Sequence, residues 1–320
     1  MIVLHDGDAR SSLEHHSAVA IGVFDGLHRG HQRVIERLRA LALEHDAVST
    51  VVTFDPHPAL VLNAQRAPRS ISTIEQRLEG LEALGVEQVR VLGFDESLSQ
   101  ERAEDFVARV LVGELSANVI VVGEDFRFGR DREGDVTMLR ALGTRYGFSV
   151  HEAPPYGDEH DGRWSSSIVR ATLEGGDLER AARVLGRAFI VRGRVVRGDQ
   201  RGTELGYPTA NLALGARQQL PRAGIYAGAG HVGNRWWPAA ISVGTRPQFY
   251  ENGALLVEVY LVGFSGDLYD AVLDVAFLAH LRAEAKFDTL EELVAQIGRD
   301  AAASVEIFRN FSPASSVLLG

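Results

Sequence analysis

Ala20-Ile21-Gly22-Val23-Phe24-Asp25-Gly26-Leu27-His28-Arg29-Gly30-His31 joins two stretches of different period. Before it, the run from Ala18 to Phe24 is apolar enough for a buried strand. After it, Val34, Ile35, Leu38, Leu41 and Ala42 recur at helical spacing. The glycine-punctuated loop therefore lies between a strand end and a helix start. Unpaired N–H groups of a first helical turn, with the helix dipole behind them, make such a position an anion site. Gly26 and Gly30 admit close approach of a phosphate, and His28 and His31 can donate hydrogen bonds to oxygens whose charge grows during reaction. Taken alone, a strand, a polar glycine loop and a helix also make an ordinary connection.

The surrounding pattern supplies the fold. Strands are predicted over 18–24, 47–54, 86–93 and 118–123, with helices near 31–45, 73–84 and 101–115. Short apolar strands alternating with helices imply βαβ units and a parallel sheet covered on both faces. Ligands of such sheets bind at the carboxyl ends of the strands. The loops 22–31, 55–58 and 123–129 all fall at that end, which points to one shared site.

Near residue 187 the pattern changes. Strand-like stretches at 189–196, 225–232, 237–243, 255–262 and 271–277 are separated by glycines and prolines, and a helix over 289–303 closes the series. Several short strands with turn signals predict an antiparallel barrel or sandwich. The boundary is expected after the helical stretch Asp177–Gly186, giving domains 1–186 and 187–320.

Composition bounds the function. The chain has 320 residues, 45% hydrophobic and 24% charged, which suits two ordinary globular domains. A net charge of −10 argues against a broad phosphate-backbone interface, hence against general nucleic-acid binding, but leaves room for a small nucleotide held by local groups. Absence of cysteine removes disulfides, thiolate zinc sites and cysteine nucleophiles. His5, Asp6 and Asp8 do not suit a secretory signal, and no apolar run approaches the roughly 20 residues that span a bilayer. A soluble, cytoplasmic protein without membrane partners is expected; its oligomeric state is not readable.

Three further segments of the first half carry chemistry. Thr53-Phe54-Asp55-Pro56-His57-Pro58 follows the second strand, its prolines fixing the approach of His57, though a proline-terminated strand with a surface histidine reads the same. Gly123-Glu124-Asp125-Phe126-Arg127-Phe128-Gly129 offers an acceptor, two aromatic faces and a cation suited to a planar heterocycle, with at least one of the phenylalanines expected in the core. Trp164-Ser165-Ser166-Ser167-Ile168-Val169-Arg170 opens a helix. Its serines are either ordinary caps or, with Arg170, a clamp for a triphosphate.

Together Gly-x-Phe-Asp-Gly-x-His-x-Gly-His (22–31), Phe-Asp-Pro-His-Pro (54–58), Gly-x-Asp-Phe-x-Phe-Gly (123–129) and Ser-Ser-Ser-x-Val-Arg (165–170) resemble the adenylyltransferase module of the prokaryotic bifunctional riboflavin kinase/FAD synthetase family. The resemblance implies a Rossmann-like nucleotidyltransferase domain in which His28 and His31 contact the ATP phosphates and stabilise departing pyrophosphate. It implies ATP contacts from Gly22, Phe24, Asp25, Gly26 and Gly30, with Ser165, Ser166, Ser167 and Arg170 on the β- and γ-phosphates. Pro56, His57, Asp125 and Phe128 would lie toward the flavin.

The densest motif of the second half is Gly198-Asp199-Gln200-Arg201-Gly202-Thr203-Glu204-Leu205-Gly206-Tyr207-Pro208-Thr209-Ala210-Asn211. Its glycines allow a backbone-exposing turn able to wrap phosphates. Thr209 and Asn211 are hard-oxygen donors at alternate positions, pointing the same way in an extended segment and suiting Mg²⁺ bound jointly with substrate phosphates. With Gly224-Ile225-Tyr226-Ala227, Val257-Glu258-Val259-Tyr260 and Leu281-Arg282-Ala283-Glu284-Ala285-Lys286-Phe287, this motif resembles the riboflavin kinase module of the same family, so the likeness runs from about residue 14 to 305. It implies a barrel in which Glu258 is the base for the ribityl hydroxyl. Gly198, Arg201, Gly202 and Thr203 would serve ATP, Thr209 and Asn211 the metal, and Arg282 and Lys286 the flavin.

Three positions depart from the family pattern: Gln248 where threonine is usual, Asp270 where glycine is usual, and Tyr260 where histidine often stands. The expected activity is phosphorylation of riboflavin by MgATP to FMN, then adenylylation of FMN by a second ATP to FAD and pyrophosphate. Two alternatives stand beside it: an adenylyltransferase with an impaired kinase module, and a flavin- or nucleotide-binding regulator without turnover.

Overall fold

A computed structural model describes residues 1–8, 16–159, 162–198, 202, 205–245 and 255–312. They form two compact units. The first comprises Met1–Pro68 and Arg77–Trp164, the second Arg69–Gln76 and Ser165–Gly320.

The first unit runs β1 (Ile2–Leu4), β2 (Ser17–Ile21), α1 (Arg29–Glu44), β3 (Val48–Asp55), α2 (Pro58–Leu62), most of α3 (Ile74–Ala83), β4 (Gln88–Gly93), α4 (Glu96–Ser99), α5 (Ala103–Phe106), β5 (Ala117–Gly123), α6 (Val136–Tyr146), β6 (Ser149–Ala153) and the short pair β7 (Gly157–Asp158) and β8 (Gly162–Arg163). Helix α5 continues as a π-helical stretch over Val107–Glu114. The sheet order is β1-β4-β3-β2-β5-β6, every neighbouring pair parallel. That confirms the predicted parallel sheet. Strands β2 and β5 are buried along nearly their whole length, which is why they read as unbroken apolar runs. Helix α1 lays Ile35, Leu38, Leu41 and Ala42 onto the sheet, the larger of these side chains contributing about 2 kcal/mol each.

The strand order fixes where a ligand can enter. The chain moves outward from β2 through β3 to β4, then returns to place β5 on the other side of β2. The crevice outside the carboxyl ends of β2 and β5 is therefore the topological switch point. The loops 22–28 and 123–129 leave the sheet on its two sides.

The second unit contains α7 (Ser166–Gly175), α8 (Leu178–Leu185), β9 (Phe189–Val196), β10 (Ala210–Ala213), β11 (Gly224–Val232), β12 (Arg235–Thr245), β13 (Leu255–Leu261), β14 (Val272–Arg282) and α9 (Leu290–Phe308). The six strands close into an antiparallel barrel in the order β10-β13-β12-β11-β14-β9. Of the two readings open from the strand pattern, barrel and sandwich, the barrel is the observed one. Its interior holds Phe189, Phe277 and the fully buried Tyr226, whose hydroxyl donates to the Arg222 carbonyl at 2.6 Å. Helices α7 and α8 pack on each other and α8 packs on β9 and β14, so both group with the barrel although they precede residue 187. Ser70 of the stretch 69–76 likewise exchanges backbone bonds with Arg217 and Gln219.

Candidate active sites

In the first unit the turn after β2 is sharply bent. Phe24, Gly26 and Leu27 all take positive φ (53°, 77° and 41°), a conformation natural for Gly26 and strained for its neighbours. The bend delivers His28 to the N-cap of α1, where its Nδ1 accepts the His31 backbone N–H at 3.3 Å. A neutral His28 with an accepting Nδ1 carries its proton on Nε2 and can donate from there. The His28 and His31 rings stack at 3.7 Å, with Phe24 edge-on to His31 at 5.1 Å. Gly30 allows this stack, because a Cβ there would stand 3.0 Å from two atoms of the His28 ring. Asp25 and His28 are buried. The structure thus brings together Phe24, Asp25, Gly26, His28, Gly30 and His31 at the switch point and the start of a sixteen-residue helix. Gly22 lies at the root of the loop, its N–H donating to the Val52 carbonyl at 3.1 Å.

The other expected contacts of this unit differ among themselves. His57 caps the short α2, its Nδ1 accepting from Ala59 N–H at 3.1 Å, next to an exposed Pro56. Asp125 is exposed and pairs with Arg163 at 2.8 Å, which holds its carboxyl below the usual carboxylate range. Phe128 is a core residue, buried and packed against Phe106, while its stacked neighbour Phe126 is partly buried. Of the two rings, Phe128 is therefore the one that joins the core. Ser165 caps α7 through Oγ and Ile168 N–H, Ser166 and Ser167 begin that helix, and Arg170 Nε donates to the Arg69 carbonyl at 2.6 Å. All four residues belong to the second unit by packing.

Sequence reasoning passes over Arg77. It is 4% exposed, and its Nη1 donates to Thr53 Oγ1 at 3.1 Å and to the Phe54 carbonyl at 3.0 Å. Burial lowers its pKa, against the pull of the Asp25 and Asp55 charges. A signal exists, since Ile74, Arg77, Leu78 and Leu81 share one helical stripe, and an arginine there contradicts an apolar face.

In the second unit a cavity of about 420 Å³ opens among β10, β12, β13 and α9. Its wall includes Gly202, Thr209, Asn211, Ser242, Glu258, Tyr260, Arg282 and Asp300. Ladder register explains the convergence. Asn211 pairs with Glu258, Glu258 with Ser242, Ser242 with Ile225, and Ile225 with Arg282, one row across five strands. Thr209 and Tyr260 stand two residues from Asn211 and Glu258, hence on the same face. A Cβ on Gly198 would lie 2.3 Å from Asn211 Nδ2, so that loop approaches the asparagine as closely as glycine permits. Arg201 and Thr203 lie outside the described residues, as does Gln248.

Arg282 reaches the cavity already paired. Asp300 of α9 accepts from its Nη2 at 2.7 Å and from Nε at 3.1 Å, and Gln296 Nε2 donates to the same carboxylate at 2.8 Å. Asp300 is the second residue that sequence reasoning misses. Lys286 is exposed and does not line the cavity. Of the departures, Asp270 takes φ 62°, the left-handed backbone that makes glycine usual there and that aspartate tolerates. Tyr260 packs edge-on against Tyr207 at 5.3 Å.

Whether a divalent cation fits this wall is decided by its donors. A threonine hydroxyl and an asparagine amide oxygen beside a carboxylate are hard oxygen donors, of the kind that would suit Mg²⁺ taken up together with substrate phosphates. Among the described residues no group of three or more His, Asp or Glu side chains forms a closed metal cage.

Comparison with known proteins finds two family models along the chain. A family model described as FAD synthetase matches residues 10–168, and one described as riboflavin kinase matches 185–308. A protein of Pseudomonas fluorescens named bifunctional riboflavin kinase/FMN adenylyltransferase is 40% identical over 91% of this chain and 93% of its own. Proteins of that name from Bacillus subtilis (33%, 92% and 93%) and Escherichia coli K12 (35%, 92% and 94%) are similar over the same extent. A solved structure from Streptococcus pneumoniae, described as a macrolide-efflux protein, matches with TM-score 0.80 at 29% identity, covering 98% of this chain and 100% of that one.

Proposed function

The chain belongs to the bifunctional riboflavin kinase/FMN adenylyltransferase family, and from that premise we propose a residue-level account of two transferase reactions on one polypeptide. The barrel unit phosphorylates riboflavin with ATP to give FMN and ADP. The sheet unit transfers AMP from ATP to FMN, giving FAD and pyrophosphate. Acting on ATP and flavins, the enzyme works in the cytoplasm.

In the kinase reaction Glu258 accepts the proton of the ribityl 5′-hydroxyl as that oxygen bonds to the γ-phosphorus and the bond to the β-phosphate oxygen breaks. Thr209 and Asn211 are the residues that would hold Mg²⁺, which would supply positive charge against the phosphates of ATP. Gly198 and Gly202 keep the loop backbone close to Asn211 and Thr209. Arg282, already neutralised by Asp300, meets a neutral isoalloxazine rather than a second anion. The observation carrying this reading is the register that sets Asn211, Glu258 and Ser242 side by side in the cavity wall.

In adenylyl transfer a phosphate oxygen of FMN attacks the α-phosphorus of ATP and pyrophosphate leaves. His28 and His31, stacked at the start of α1, donate to the oxygens on which charge accumulates, aided by the helix dipole.

A time course with riboflavin, excess ATP and Mg²⁺, beside a reaction started from FMN, tests the account. FMN first and FAD after it is the expected result. FAD from FMN with nothing from riboflavin identifies an impaired kinase module. Bound flavin without turnover in either reaction overturns the reading in favour of a regulator.

A further inference from the structure

Arg77 sits where a charge is costly. Its guanidinium is buried on the sheet-facing stripe of α3, and a charged group is retained there only when its partners repay the lost water. Those partners lead to the adenylyl-transfer site. Thr53 and Phe54, which accept from Nη1, are the last buried and the first half-buried residue at the carboxyl end of β3, just before Asp55-Pro56-His57. Thr53, itself fully buried, passes the connection on, its hydroxyl donating to the Val23 carbonyl at 3.1 Å. Val23 immediately precedes the positive-φ turn that carries His28 to its capping position. Thr53 thereby ties the carboxyl end of β3 to Val23, just past the end of β2, and Arg77 holds Thr53 in place; these are the two strands whose loops lead to His28, His31 and His57. The negative charges facing it are Asp25, in the turn after β2, and Asp55, the last residue of β3.

Resting on the adenylyltransferase reading of this unit, we propose that Arg77 is a positioning residue for adenylyl transfer: through Thr53 and Val23 it holds the Phe24–His28 turn in the strained form that stacks His28 on His31, and its charge offsets the buried carboxylate of Asp25. It touches no substrate. A strained turn persists only where its surroundings over-determine it; this three-residue chain reaches the root of the turn at Val23, while Gln32 Nε2 donates to the Leu27 carbonyl at 2.9 Å from the helix side.

The test compares Arg77→Met, Arg77→Lys and Thr53→Val in the full chain, measuring kcat and KM for FAD formation from FMN together with riboflavin phosphorylation. Arg77→Met is expected to lower kcat for FAD formation by about 10²-fold, the scale of a misplaced catalytic group, with KM for ATP changed far less. Riboflavin phosphorylation should stay within about twofold, and Arg77→Lys should recover part of the loss because it keeps the charge. Thr53→Val, nearly the same shape, should lower kcat in the same direction, and the double variant should be no worse than Arg77→Met alone, since coupled groups are not additive. If Arg77→Met does not fold, Thr53→Val decides by the same split between the two activities. Unchanged FAD formation in Arg77→Met, additive losses, or an equal fall in both activities overturns the inference. A parent chain that makes no FAD from FMN overturns the underlying reading and the inference with it.

Discussion

Asn211 and Glu258 are direct partners in the ladder between β10 and β13, so the metal-binding candidate and the candidate base are neighbours by strand register rather than by loop placement. Residues so paired stand about 5 Å apart at Cβ. Glu258→Gln keeps the shape and removes the base. FMN formation should fall by about 10²- to 10⁴-fold, the usual worth of a general base. FAD formation from supplied FMN should be unaffected in the same preparation.

Gly198 borders Asn211 so closely that any side chain displaces it. Gly198→Ala should therefore raise the Mg²⁺ concentration needed for half-maximal kinase rate by about tenfold, roughly 1.4 kcal/mol. A magnesium titration of FMN formation reads this directly. An unchanged titration would show that Asn211 does not hold the ion.

Gly30 plays the corresponding part beneath the histidine stack, where a Cβ would press on the His28 ring. Gly30→Ala is expected to slow FAD formation by at least about tenfold through displacement of His28, and His28→Ala with His31→Ala to abolish it. Both variants should phosphorylate riboflavin normally. Loss of both activities in a folded double variant would refute the two-site assignment.

Asp300 is 7% exposed at its side chain and holds Arg282, itself 23% exposed. Asp300→Ala leaves a largely buried guanidinium without its carboxylate. The barrel should lose about 3 kcal/mol in denaturant unfolding, the scale of a broken buried pair. Asp300→Asn, which retains an acceptor, should lose less, and both should raise KM for riboflavin.

His280 predicts how barrel stability follows pH. Burial, and then the nearby Arg222 charge, hold its imidazole below the ordinary 6.5. The folded state therefore prefers the neutral ring. Above the ordinary value the ring is neutral folded or unfolded and nothing is lost. As pH falls through 6.5 the unfolded chain takes the proton first, and stability declines until the folded-state value is passed. Urea midpoints at neutral and mildly acid pH should fall more steeply for the parent than for His280→Gln; parallel lines would exclude His280 as the cause.

The legible parts of this chain are those where one physical effect dominates. Buried parallel strands read as apolar runs, so β2, β3, β4 and β5 stand within a few residues of expectation, and β9 coincides with it. Strand β6 escapes notice because Ser149, His151 and Glu152 on the sheet edge hide its period, and β10 because four residues leading out of a glycine loop show none. Phe126 and Phe128 follow the same strand at a spacing of two, so composition cannot say which ring joins the core. Arg77 and Asp300 are missed for a shared reason. A charged residue in an amphipathic helix reads as its wet face unless its place on the stripe is checked residue by residue.

Residues 69–76 pack with the barrel unit, although the chain on either side of them belongs to the sheet unit. For a genome this makes the two activities awkward to inherit apart. A gene broken between codons 164 and 165 yields a second product without Ser70, whose backbone bonds to Arg217 and Gln219 are then lost. Exchange of the downstream portion with a distant relative meets the same obstacle, because the incoming barrel finds a foreign strip where its own should be. Fusion is thus the arrangement in which each folded unit keeps all its parts, and selection against fission follows from the path of the chain before any benefit of coupled catalysis is counted.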